Sequence, residues 1–223
     1  MRRGLLIVVT IFFYMLIFSS SYGESSSGKY LDDLVLRDTG DGRDFELYKQ
    51  FRYVDPHGIT WVVPKATRVN GASIPQALWG SIIGCPWEGR FRRASVIHDY
   101  FFDEKRYDSA SVHRVFYDAM ITDGVTPTKA KLFYWAVVRF NDEWQASGAV
   151  LPSCGKNHPS TMRCLRLPDD ETLISAYNRV SVDFIEDEFK EAQKMIDEAG
   201  EELSPEQLAS NALEKRNKQI NKQ

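Results

Sequence analysis

Apolar side chains recur at helical spacing in three successive stretches, and the chain before them alternates instead. Phe91, Ala94, Ile97, His98 and Phe101 share one face of a helix predicted over residues 88–103. Val112, Val115, Phe116, Ala119 and Met120 do the same over 110–122. A third helix starts at Pro127, with Ala130, Phe133, Tyr134, Val137, Phe140 and Trp144 as its apolar face. The boundaries carry their own chemistry. Asp108 and Ser109 are helix caps, Asp123-Gly124 is a stop, and Thr126-Pro127 pairs a cap with a proline that suits a first helical turn. Upstream, Phe45, Leu47, Phe51 and Tyr53 alternate in part, and Ile59-Thr60-Trp61-Val62-Val63 is strongly β-prone. The Asp55-Pro56-His57-Gly58 turn lies between them. A short strand is expected over 31–36, and 39–43 is a turn cluster. The predicted class is α+β: a small antiparallel β-hairpin or meander followed by a three-helix core.

The pattern returns in the last quarter of the chain. Asp169 and Asp170 favour the start of a long amphipathic helix running to about residue 199. Ile185, Phe189, Ala192, Ile196 and Ala199 form its apolar stripe. Ser204-Pro205-Glu206-Gln207 is a capping box that opens another helix, and the polar chain past Leu213 is expected to fray. A second capping box, Ser73-Ile74-Pro75-Gln76, predicts a short helix through Trp79 and Ile82. The chain thus divides into 1–23, a linker and short strand over 24–43, a core domain over 44–148, a loop over 149–168, and a helical extension over 169–223. That extension has one apolar face to dock, on the core or on a protein partner. No internal repeat is visible.

Composition narrows the class. A chain of 223 residues with 43% hydrophobic content buries an adequate core for one domain. The formal net charge is −3 and the basic residues are dispersed apart from Arg90, Arg92 and Arg93, so no nucleic-acid partner is expected. The N-terminus has the pattern of a signal peptide. Arg2 and Arg3 precede an uncharged apolar run over 5–18, and Ser21-Tyr22-Gly23 offers small residues for cleavage near Gly23. The run is shorter than the roughly 20 residues of a spanning helix. A secreted or periplasmic protein is expected, touching the membrane only through this segment before cleavage. An uncleaved anchor is the alternative. In an oxidising compartment Cys154 and Cys164 are placed to close a short disulfide loop, leaving Cys85 as a buried thiol among apolar neighbours.

A further set of residues carries a resemblance. Val63-Pro64-Lys65, Asn70-Gly71-Ala72-Ser73-Ile74-Pro75, Trp79, Ile83-Gly84-Cys85-Pro86, Arg90, Arg93-Ala94 and Val96-Ile97-His98-Asp99-Tyr100 resemble the domain-of-unknown-function family 1353 of bacteriophages and bacteria. Phe116, Ala119-Met120 and the helix over 134–140 continue the likeness, which covers about 44–144. The family usually has acids where this chain has Asn70 and His113. The resemblance implies an α+β domain and names no activity.

The candidate chemistry centres on His98 and Asp99. An imidazole within an apolar stripe beside a carboxylate suits general-base work, and the resemblance brackets Asn70 with them, giving His98, Asp99 and Asn70 as the candidate catalytic set. His113, across the helix pair, extends this to His98, Asp99 and His113 as candidate ligands of a divalent metal ion such as zinc. The layout has an analogy in secreted phospholipase A2, where a helical His-Asp pair supplies base and calcium ligand; the calcium loop and paired helix cysteines are missing here. Two function classes follow. One is a His/Asp-dependent hydrolase or metal site. The other is a non-catalytic binding or assembly module in which His98-Asp99 is a buried structural pair. No other cofactor-binding residue is indicated.

Overall fold

The computed structural model describes residues 28–40, 44–71, 89–141, 143–144 and 185–220. Residues 1–27, the expected cap at Ser73, Cys85, Cys154 and Cys164 lie outside the described residues, so the signal-cleavage and disulfide expectations fall there too.

Two antiparallel sheets of three strands each precede the helices. The first joins β1 (Lys29–Tyr30), β4 (Phe51–Val54) and β5 (Thr60–Val63) in the order β1-β4-β5. The second joins β2 (Leu36–Asp38), β3 (Phe45–Leu47) and β6 (Arg68–Val69) in the order β2-β3-β6. Register follows the alternation in sequence. Phe51 faces Val63 and Tyr53 faces Trp61 across the β4–β5 pair, and all four are buried. The turn between them is fixed by Asp55, whose Oδ1 accepts the backbone N–H of His57 and Ile59 while Oδ2 accepts Trp61 Nε1–H. Gly58 completes the turn at φ +84°, which glycine adopts without a side-chain clash.

The strand predicted over 31–36 is not formed as one element. Leu31 donates one more backbone bond, to Arg52, but Asp32 then turns outward to pair with the Arg52 guanidinium at 2.8 Å. Chain pairing starts earlier than the linker expectation placed it. Lys29 is already opposite Val54, and Gly28 is buried where any Cβ would sit 1.9 Å from the Tyr53 hydroxyl.

The helical core is α1 (Arg92–Glu104), α2 (Ser109–Thr122) and α3 (Pro127–Phe140). Helix α1 starts later than the periodicity predicts because Gly89 stands at φ +94°, outside helical space. It ends where Lys105 turns left-handed and returns its N–H to Phe101 O. Asp108 caps α2 by accepting the Ser111 N–H at 2.7 Å. Helix α3 stops four residues before Trp144, so Trp144 is not on its apolar face. The indole is nonetheless buried, donating Nε1–H to Tyr107 O at 2.7 Å. The β1-β4-β5 sheet lies against these helices. Trp61 meets Phe101 edge-on, Tyr53 Oη is 2.9 Å from Thr122 Oγ1, and Tyr30 donates to Ala119 O.

The C-terminal part is a hairpin of α4 (Ile185–Ala199), a 3-10 turn at Gly200–Glu202, and α5 (Pro205–Ile220). The Ser204–Gln207 capping box forms reciprocally: Ser204 N–H donates to Gln207 Oε1 and Gln207 N–H to Ser204 Oγ. The predicted stripe is buried at Ile185, Phe189, Ala192 and Ile196. Both arms pack on α3, which is buried at every position from Ala130 to Arg139. The expected fraying past Leu213 does not occur before Ile220. Arg216 is buried and Gln219 accepts a hydrogen bond from Arg139, so α3 holds the last turns. Among the described residues no helix is long and apolar enough to cross a membrane.

Candidate functional site

Helices α1 and α2 place His98 and His113 against each other. His98 falls mid-stripe on α1, so helical periodicity carries it into the core, where none of its surface is exposed. Its Nε2 lies 2.9 Å from Nδ1 of His113, which is also buried. The two rings stack at 5.2 Å between centroids. Phe102 and Phe116 flank His98 at 5.6 and 5.0 Å, and Trp144 closes the His113 side at 6.1 Å.

A nitrogen–nitrogen hydrogen bond needs one hydrogen and one lone pair, so the facing atoms hold a single proton between them. Nδ1 of His98 has no hydrogen-bond partner among the described residues. A buried bare lone pair costs less than a buried bare N–H. The shared hydrogen is therefore assigned to His98 Nε2, leaving Nδ1 as the acceptor without a donor. Burial alone pushes the His98 pKa from 6.5 down to about 3. Water is excluded and no charged neighbour contributes, so the cation is disfavoured. At neutral pH this imidazole is uncharged and a poor base.

Asp99 is one residue further, about 100° around α1. It points not at either imidazole bond but at the turn after β6, where its Oδ2 accepts the Gly71 N–H at 2.8 Å. Only 5% of Asp99 is exposed. Asn70 precedes that turn and is itself exposed. What links the Asn70-Gly71 string to α1 is thus the Gly71 backbone, not the Asn70 side chain. Of the three candidate ligands, His98 and His113 meet directly while Asp99 serves the turn. Among the described residues no group of three or more His, Cys, Asp or Glu side chains is placed to hold a metal ion.

Two contacts were not read from the sequence. The Gly71–Asp99 tie joins residues 28 apart with no local pattern. Phe102 stacks on His98 as its i,i+4 neighbour on α1, but its edge-on contact with Trp144 depends on where that distant residue returns. The family string, which carries both Gly71 and Asp99, was the available signal for the first.

Residues 45–137 match the model of a protein family described as "Protein of unknown function (DUF1353)". The likeness to that family thus covers less than half of this chain. The matched segment runs from β3 into the last turns of α3 and holds Asn70, Asp99, His98 and His113 together; the α4–α5 hairpin lies outside it. Two proteins of Sinorhizobium fredii are similar. The uncharacterized protein y4jT is 44% identical over 135 residues, which is 60% of this chain and 38% of that protein. The uncharacterized protein y4iH is 40% identical over 122 residues, 53% of this chain and 49% of that one. The chain therefore matches less than half the length of either relative. No solved structure matches.

Proposed function

We propose that this protein is a non-catalytic binding or assembly module, exported through its N-terminal segment. In it the His98–His113 pair and the Asp99 carboxylate are packing elements. One observation carries the reading: His98 is fully enclosed, held by another imidazole, and too weak a base to take a proton at neutral pH. Asp99 supports it by fixing the turn after β6 to α1. The hydrolase or metal-site reading retains one favourable observation, the His98 Nδ1 lone pair without a donor.

Zinc titration followed by chemical denaturation of wild type and His98→Gln separates the two. A packing pair predicts that zinc leaves wild-type stability unchanged and that His98→Gln lowers it. A metal-dependent gain of wild-type stability that disappears in His98→Gln would establish the metal site instead. Export is tested by sequencing the N-terminus of protein recovered from the periplasm or medium. A start near Glu24 is expected, and a soluble cytoplasmic protein retaining Met1 would refute it.

A further inference from the structure

No further inference is drawn: the strongest candidate, the side-chain cluster at the C-terminal end of α3 where the enclosed Arg139 has no hydrogen-bond partner for Nε and Nη1 among the described residues, carries nothing, because Glu188 at 2.8 Å from Nη2 already neutralises the guanidinium and nothing in the structure shows what would meet those nitrogens.

Discussion

At the residue scale, His98 couples stability to pH. Its pKa falls from 6.5 to about 3 on folding, so the folded chain binds fewer protons than the unfolded chain between those values. The contribution is complete above about pH 6.5 and is lost as pH falls toward 3, at about 1.4 kcal/mol per pH unit. Denaturation at several pH values should show His98→Gln with a shallower slope than wild type between about pH 4 and 6; equal slopes would contradict the assignment. The comparison matters because burial also pushes the Asp118 and Asp123 carboxyls up, which acts in the opposite sense at lower pH. At pH 7, His98→Ala removes a ring from the core and the hydrogen bond between His98 Nε2 and His113 Nδ1. The expected loss is about 2–4 kcal/mol by chemical denaturation. A Cβ at Gly28 would sit 1.9 Å from the Tyr53 hydroxyl. Gly28→Ala should displace that ring from Thr122 and lower stability by about 1–3 kcal/mol.

At the element scale, local chemistry was legible and returns were not. Thr126-Pro127, Asp108 and the Ser204–Gln207 box each mark a helix start that the structure has, because a cap is decided by residues within one turn. The apolar stripes of α1, α2 and α4 also point inward as their spacing requires. The split of the strands into two sheets was not legible. Pairing of β1 with β4 and of β3 with β6 joins segments separated by other strands, and periodicity carries no information on partners. The late course of α5 was missed for a similar reason. Its polar surface past Leu213 looks solvated until Arg139 and Glu143 are brought to it. Ser204→Ala should cost about 1 kcal/mol in thermal or chemical unfolding, since it removes the acceptor for Gln207 N–H.

At the scale of the whole molecule, α3 stands between two bodies. The sheets, α1 and α2 lie on one side and the hairpin on the other, which is why a helix with Lys131 and Arg139 in it is buried along its length. The candidate site was legible as a cluster of residue types. His98 and Asp99 on α1 and His113 on α2 are all buried, but sequence could not tell which atoms face which. Two imidazoles brought within 2.9 Å satisfy each other, and the carboxylate one residue away turns to the sheet side. The central claim is that His98 is a neutral imidazole enclosed against His113. Nitrogen-15 resonances of the His98 and His113 rings, followed against pH, test it most directly. The account predicts a protonated Nε2 and a bare Nδ1 on His98, unchanged from pH 8 to about pH 5. A His98 ring that titrates near its ordinary pKa of 6.5 in the folded protein would contradict it.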